Sequence, residues 1–258
     1  MCYDIKTSLK NQLKRAIQNC DIEQIKEIEE KLKPLLEEEN YHISGFSHAK
    51  SVIYTTQKPF YPTLAIWGLI PAWSKDKESA TKFWNNTLNA RGETIFDKPS
   101  FRTSAKSKRC VCYVDGFFEH HHYNGSTYPF YIFKKDNEPM PLAGLWEEWV
   151  DKSTGEILKT FTIVTTKGND LLAKIHNNPK LKEPRMPVIL NNKDVEDWLN
   201  PDERQDLKSK IQELIKPFPQ DELSAFTVRK LRGKEAVGNI PDAIIEHKYE
   251  ELKVEPLI

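Results

Sequence analysis

The sequence predicts an α+β fold in which a mostly antiparallel, barrel-like β core carries flanking helices and an N-terminal helical insertion. From residue 41 onward, short aromatic and β-branched segments alternate with turns, at irregular spacing and without long helices between them. Before residue 41, apolar residues recur at helical spacing instead. With 258 residues and 38% hydrophobic content, the chain can bury a good core. We therefore expect a single domain over residues 1–258, with 6–39 a helical insertion and 245–258 a loose C-terminal tail.

The insertion is predicted to be a charged helical hairpin. Its first apolar stripe has helical spacing, and Asp21 followed by Gln24 at the third position is typical of a capping box. We expect the apolar face to dock on the domain, as such faces usually do, with binding of a partner as the alternative. The stripe consists of Leu9, Leu13, Ile17, Ile22, Ile25, Ile28, Leu32, Leu35 and Leu36.

The remaining elements follow from β-branched and aromatic runs, and then from a second helical pattern. Residues 191–216 predict two helices separated by Asn200 and Pro201, because proline interrupts a helix. The predicted strands are SVIYTT (51–56), TLAIWGLI (63–70), RCVCYVDGFFEHHHY (109–123), TYPFYIF (127–133), FTIVTT (161–166), PVIL (187–190) and LSAFTVRKL (223–231).

Composition limits the function classes. Lys plus Arg and Asp plus Glu both total 38, so the overall charge offers no non-specific attraction to nucleic acid or anionic membrane, and DNA binding would need a local basic groove. No apolar run approaches the ~18 residues of a membrane span, and the first residues lack a signal-peptide pattern. We expect a cytoplasmic protein with reduced cysteines. Cys110 and Cys112 share one face of a predicted strand, where buried thiols are expected.

Cys2 is the most informative residue, because a methionine aminopeptidase usually removes Met1 when a side chain this small follows. The new terminus would carry an α-amine with a pKa near ~8 beside a thiol with a pKa near ~8.5. An aldehyde would be captured by both groups. The amine condenses to a Schiff base, and the thiolate then closes a five-membered thiazolidine.

Two segments indicate nucleic-acid contacts. WGLIPAW (67–73) runs a strand into a turn and ends with Trp73, which can stack on an unpaired base or, alternatively, fill core. NARGET (89–94) places Asn89, Arg91 and Glu93 at alternate positions of an extended segment. An arginine there can clamp phosphate, and an asparagine can hydrogen-bond a sugar. A plain polar strand edge is the alternative.

Two further segments indicate proton transfer. Glu119 lies beside Phe117 and Phe118, and apolar surroundings of this kind raise a carboxyl pKa toward neutrality. Residues 120–122 are histidines, but consecutive strand residues point to opposite faces, so no metal site is expected. His176 ends a predicted helix, whose dipole favours an imidazolium that can donate a proton; a capping histidine is the alternative.

Taken together, Met-Cys at the start followed by WGLIPAW, NARGET, DGFFE, IVTTKGN, IH and RMPVIL resembles the SOS response-associated peptidase family, whose members cap abasic sites in single-stranded DNA. The resemblance covers roughly residues 41–190 plus Cys2, with a weaker echo in VRKLRGKEAVGN. It implies a β-rich α+β fold with a positively charged groove. There the terminal cysteine forms a stable thiazolidine with the ring-opened aldehyde of an abasic deoxyribose.

The resemblance also implies residue roles. Cys2 is the nucleophile, Asn89 positions the terminus or the sugar, and Glu119 shuttles protons. His176 protonates or holds the ring oxygen of the sugar, and this chemistry needs no metal and no organic cofactor. The expected partner is single-stranded DNA containing abasic sites, bound by a monomer associated with the nucleoid. The resemblance implies DNA contacts by Trp73 through stacking, by Arg91 through phosphate and by Thr165 through backbone hydrogen bonding. Lys98 and Arg102 are added as weaker phosphate candidates, and Arg185 is also expected to bind DNA.

The chain departs from the family pattern in places that concern DNA affinity. Members commonly begin Met-Cys-Gly-Arg, whereas Tyr3 and Asp4 stand here, so a carboxylate replaces a basic phosphate contact and is expected to weaken binding. Ser74 and His120 stand where tryptophan is common. An insertion, NNPKLKEP (177–184), separates His176 from RMPVIL and is expected to shift Arg185 relative to the groove.

Two other function classes stay open. In a cysteine peptidase or amidase of N-terminal-nucleophile type, Cys2 would attack an amide carbonyl. Such acyl transfer needs an oxyanion hole, and no glycine-rich turn follows Cys2. A non-catalytic single-strand binder would need only Trp73 and Arg91. Lyase and thiol peptidase activities are therefore left undecided by the sequence.

Overall fold

The computed structural model describes residues 2–201 and 206–252. Its strands are β1 Asp4–Ser8, β2 Glu39–Ser44, β3 Lys50–Thr55, β4 Lys58–Trp67, β5 Asn89–Arg91, β6 Arg109–Val114, β7 Gly116–Tyr123, β8 Ser126–Lys134, β9 Met140–Val150, β10 Ile157–Lys167, β11 Arg185–Pro187 and β12 Leu223–Thr227. Its α-helices are α1 Leu9–Gln12, α2 Lys14–Asn19, α3 Ile22–Leu32, α4 Lys77–Trp84, α5 Arg102–Ser107, α6 Asp170–Ile175, α7 Asn192–Leu199 and α8 Leu207–Leu214.

Five strands close into a barrel in the order β10-β4-β3-β6-β9, because β9 also pairs with β10. All of these pairings are antiparallel except β10 with β4, and the short β5 adds a second parallel pairing to β10. A second, antiparallel sheet has the order β12-β8-β7-β1-β2. The predicted α+β, barrel-like class is thus confirmed.

The core forms where the inner faces of both sheets meet, since strand side chains alternate between faces. Every residue of β6 is buried, and Cys110 and Cys112 lie together in the main apolar cluster with free thiols, as expected. Gly68 ends β4 with a φ of +118°, and a Cβ there would lie 2.9 Å from the Trp84 ring. A glycine is therefore needed at the turn that leads to Trp73.

The insertion lies between two strands that pair with each other. Residues 6–8, predicted as part of it, instead continue β1, because Ser8 pairs with Glu39 across the base of the insertion. Helices then follow, and the Asp21 capping box forms as predicted. Leu9 and Leu13 dock in the core, whereas the apolar side chain of Ile22 is exposed.

The tail is more ordered at its start than predicted. His247 and Thr227 exchange hydrogen bonds of 2.7 Å, and the Tyr249 hydroxyl donates to the Val228 carbonyl at 2.8 Å. These contacts add a short pairing beside the end of β12, so residues 245–252 are not loose; 253–258 lie outside the described residues. Among the described helices, none has both the length and the apolar character that crossing a membrane requires.

Candidate active site

The reactive candidate Cys2 lies two residues before the start of β1, a strand that is paired on both edges. Asp4 of β1 pairs with Phe118 of β7 on one side and with Ser44 of β2 on the other. The Cys2 side chain is 0% exposed and belongs to the main apolar cluster together with Phe117. Because both edges of β1 are paired, the position of Cys2 is fixed by the sheet.

Glu119 follows on β7, two positions after Phe117 and therefore on the same face as that buried ring. It is itself buried. Burial, and after it the negative charge of Glu119, raises the pKa of the Cys2 thiol well above its ordinary value. The thiol is therefore protonated at neutral pH, unlike the partly ionised thiol expected from the sequence.

His176 approaches Glu119 from the end of α6, which begins at the Asn169 cap. Its Nδ1 lies 3.6 Å from Glu119 Oε1 and 3.0 Å from the Arg185 carbonyl oxygen. With the proton on Nδ1, the imidazole donates to that carbonyl. His176 is thus at a helix C-terminus, as predicted, and it forms a buried acid–base pair with Glu119.

Asn89 reaches the same place from β5, which is positioned by parallel pairing with β10. Its Nδ2 donates to the Cys2 carbonyl oxygen at 2.8 Å. Its Oδ1 is buried and accepts no hydrogen bond from residues 2–201 or 206–252. Buried acceptors usually have a partner, so this oxygen is available to accept a hydrogen bond from a donor brought to the site.

A cavity of about 310 Å³ opens onto the Glu119–His176 pair and onto Tyr3 and Asp4, the residues that follow Cys2. Glu119 and His176 line it together with residues from β7, β8, the 177–184 insertion and the segment after β12. The insertion is bound to β7, because Asn177 accepts from the His122 backbone N–H at 2.6 Å and donates to the His122 carbonyl at 3.0 Å. The insertion therefore forms one wall of the cavity.

Asp4 corrects one expectation. Its carboxylate does not face outward to repel phosphate; it is buried, accepts from His42 Nε2 at 2.9 Å and pairs with Arg232. Burial alone would raise the pKa of Asp4, but the His42 hydrogen bond and the Arg232 charge outweigh burial and lower that pKa. Asp4 is thus a neutralised internal anion. No local pattern marks either of its partners, His42 or Arg232, apart from the weak VRKLRG echo that contains Arg232.

Several predicted DNA contacts lie on the surface. Trp73 is 53% exposed, packs edge-to-face on Phe83, and its indole N–H donates to the Pro99 carbonyl at 3.3 Å. That carbonyl belongs to residues 89–107, a continuous segment that runs from β5 through α5. The exposed basic residues predicted along this segment are Arg91, Lys98 and Arg102.

Thr165 and Arg185 are placed differently. Both are buried, and the Arg185 guanidinium forms two 2.8 Å hydrogen bonds with the Glu93 carboxylate and a further one with the Thr165 carbonyl. The Thr165 hydroxyl lies 3.4 Å from the Ala90 carbonyl oxygen. Because these groups join β10, β11 and the end of β5, we do not assign either residue to DNA.

Comparison with known proteins decides the family. The model for "SOS response associated peptidase (SRAP)" matches residues 1–235. The chain belongs to this family. The resemblance drawn from the motifs is therefore confirmed.

Individual relatives agree with the SRAP assignment. The chain is 37% identical over 182 residues to the abasic site processing protein YoqW of Bacillus subtilis, covering 70% of this chain and 75% of YoqW. It is 30% identical over 154 residues to the abasic site processing protein HMCES of Gallus gallus, covering 52% of this chain and 44% of HMCES. A crystal structure of a Bacteroides thetaiotaomicron protein superposes with a TM-score of 0.80 at 34% identity, covering 96% of this chain and all of that one.

Proposed function

We propose that this SRAP protein processes abasic sites in single-stranded DNA by forming a covalent thiazolidine through Cys2 after removal of Met1. The observation that carries the proposal is the convergence of Asn89, Glu119 and His176 on the terminal cysteine. The printed names of the relatives YoqW and HMCES, abasic site processing proteins, support the substrate class.

The chemistry balances without an outside reagent. The Cys2 amine adds to the aldehyde carbon of the ring-opened deoxyribose, and loss of water from the carbinolamine gives an imine. The Cys2 sulfur then adds to the imine carbon, forming a C–S bond while the thiol proton passes to nitrogen. One C–N bond and one C–S bond form, and one water is released.

Glu119 suits the proton transfers in this sequence. Its charge opposes ionisation of the Cys2 thiol, so a proton taken by its carboxylate both removes that negative charge and frees the sulfur to attack. His176, 3.6 Å away, can exchange protons with it and supply one to the departing hydroxyl. The pair thus covers both the acid step and the base step.

Asn89 suits a positioning role. Its Nδ2 holds the Cys2 carbonyl, which fixes the direction in which the new α-amine points. Its Oδ1, which has no hydrogen-bond partner among the residues that the structure describes, can accept from that amine or from a sugar hydroxyl. Fixing the amine beside the aldehyde lowers the entropy cost of bringing the two together.

The DNA strand is assigned to the surface that holds Trp73 and residues 89–107. An exposed indole provides a face for an unpaired base, and the exposed cations Arg91, Lys98 and Arg102 provide phosphate contacts. Since the chain has zero net formal charge, such local groups must supply the attraction.

Intact-mass analysis tests the proposal. Purified protein should lack Met1 and should gain the mass of an abasic oligonucleotide less one water, in a complex that survives heat and denaturant. An oligonucleotide of the same sequence without the abasic site should give no adduct. Protein shown to begin with free Cys2 that forms no such adduct would contradict the proposal.

The Cys2→Ala variant distinguishes formation of the C–N bond from formation of the C–S bond. It keeps a terminal amine but has no sulfur to close the ring, so its adduct should survive denaturation only after borohydride reduction. A matched Cys20→Ala variant, which removes a cysteine of the insertion, should crosslink like the parent protein.

A further inference from the structure

A basic strip crosses the mouth of the cavity immediately after β12. Leu231 is buried against Phe118, and the segment is held by hydrogen bonds from the Val228 N–H to Pro129 and from the Val237 N–H to Lys230. Lys230, Leu231 and Arg232 all line the cavity, and Leu231 is the buried member of the three.

Arg232 is oriented by a buried anion. Its Nη2 bonds Asp4, and its guanidinium lies 5.7 Å from the centre of the Phe46 ring. The Arg232 side chain is 49% exposed, whereas that of Asp4 is 2% exposed, so the carboxylate lies on the protein side of the pair. Within residues 2–201 and 206–252, the other guanidinium nitrogens have no hydrogen-bond partner. Because Asp4 fixes one side of the Arg232 guanidinium, its other N–H groups are preorganised to bind a second anion.

Lys230 adds positive charge that no carboxylate within the described residues neutralises. Its ammonium bonds the Thr127 carbonyl and lies 4.3 Å from the centre of the Tyr128 ring. The ionisable groups lining the cavity are Tyr3, Asp4, Glu119, His120, His122, His176, Lys230 and Arg232. Burial lowers the pKa of His120 to about 4, and the Arg232 cation contributes in the same direction. Burial also lowers the pKa of His122, to which the Lys180 cation contributes. The cations and the carboxyl groups of this lining are equal in number, but Asp4 and Glu119 are buried whereas the Arg232 side chain is 49% exposed, so positive charge lies on the solvent side.

We propose that Arg232, with Lys230 beside it, forms a binding site for the phosphodiester next to the abasic sugar, and that Asp4 is a positioning residue that fixes the Arg232 guanidinium. The identity of the ligand rests on the proposed function. The phosphate is held at the cavity mouth while the sugar reaches Glu119 and His176 inside.

The first test changes the DNA and leaves the protein intact. A single strand carrying a tetrahydrofuran analogue, which has no aldehyde and cannot crosslink, is made with a neutral methylphosphonate at each flanking position in turn. We expect one position to weaken binding by about tenfold, the loss typical of a charge-assisted hydrogen bond. Equal affinity for every oligonucleotide would overturn the proposal.

The second test uses a charge-balanced double variant. Asp4→Asn combined with Arg232→Gln removes one negative and one positive charge, so the net charge of the protein does not change. It should lower the slope of log affinity against log salt by ~0.7, the value for one lost contact to a single-stranded phosphate, and should no longer respond to the sensitive methylphosphonate. Arg229→Gln is the matched control, since Arg229 is exposed and pairs with Asp242; it should keep the parent slope and response.

The positioning role has its own signature. Asp4→Asn alone should weaken binding with Arg232 present and have no effect in an Arg232→Gln background, whereas a purely structural Asp4 would give the same loss in both. Failure of the proposed function is seen separately, as absence of an adduct with genuine abasic DNA. Failure of the phosphate site is seen as unchanged non-covalent binding.

Discussion

The imidazole of His176 and the carboxylate of Glu119 lie 3.6 Å apart, with only 6% and 5% of their side chains exposed. One comes from the end of a helix and the other from the middle of a strand, so tertiary packing alone brings them together. A carboxyl group and an imidazole this close together are the pair of side chains that general acid–base catalysis uses. The kinetics of adduct formation should therefore depend on both members.

Glu119→Gln keeps the side-chain shape but removes the titrating group. We expect single-turnover crosslinking to slow by ~10²-fold with little change in melting temperature. Glu156→Gln, in an exposed turn, is the control and should react like the parent. Parent-like rates for Glu119→Gln would exclude this carboxylate as the acid or base.

His176→Ala should also slow adduct formation, because no imidazole remains to assist opening of the sugar ring. A substrate that already presents an open aldehyde should recover much of the lost rate, whereas it should not rescue Glu119→Gln to the same extent. The measurement is the ratio of crosslinking rates on the two substrates. A ratio equal to that of the parent protein would assign His176 to packing.

Trp73→Ala should weaken binding to a single strand by roughly 1–3 kcal/mol, the usual contribution of one base stacked on an aromatic ring. The salt dependence should stay unchanged, because stacking releases no counterions. Phe60→Ala provides a matched control, since Phe60 is exposed on β4 beside the insertion. Equal losses for the two variants, measured by fluorescence anisotropy across a salt series, would argue against a specific platform.

Substitution of Arg91 should affect DNA binding, whereas substitution of Arg185 should affect the stability of the fold. Arg91→Ala should lower the salt slope by ~0.7 and leave stability unchanged, as expected for an exposed phosphate contact. Arg185→Ala should instead reduce the free energy of unfolding by ~2–3 kcal/mol, because it leaves the Thr165 carbonyl and the Glu93 carboxylate without their donor. Urea unfolding and filter binding of both variants check this, and the reverse pattern would exchange the two roles.

His120 should make stability depend on pH. Burial lowers its pKa in the folded state to about 4, against ~6.5 when unfolded, so the unfolded chain binds more protons between these values. Stability should therefore fall by up to ~3 kcal/mol as the pH drops from ~6.5 to ~4. His120→Gln should flatten the curve of unfolding free energy in that window. A variant curve parallel to that of the parent would contradict the assignment.

The sequence predicted the fold class but missed β9, for a physical reason. Met140 to Glu147 are all buried, so the strand shows no alternation, and its proline and glycine argued against a strand. Gly144 is in fact required, since a Cβ there would lie 2.7 Å from the Thr162 carbonyl oxygen of β10. The close approach of two barrel strands is a tertiary constraint that local patterns do not record.

The members of the proposed reactive site, Cys2, Asn89, Glu119 and His176, could be predicted from the sequence because each lies in a recognisable local motif. The Asp4–Arg232 pair could not be predicted, since its members come from opposite ends of the chain and no local pattern relates one to the other. Thr165 shows the opposite effect, in which tertiary packing covers a residue whose local pattern predicts exposure. A polar residue at a strand end is usually at the surface, but here the neighbouring β5 and β11 cover it.

The pairing of β1 with strands on both of its edges also has a consequence during synthesis. Cys2 is fully buried, and a strand on one side of β1 is β7, which ends at Tyr123. Until the ribosome has made that strand, the amino terminus has nothing to be buried against on that side. At typical rates of translation this leaves an interval on the order of 10 s. During that interval, removal of Met1, which the proposed chemistry requires, can act on an amino terminus that β7 does not yet cover.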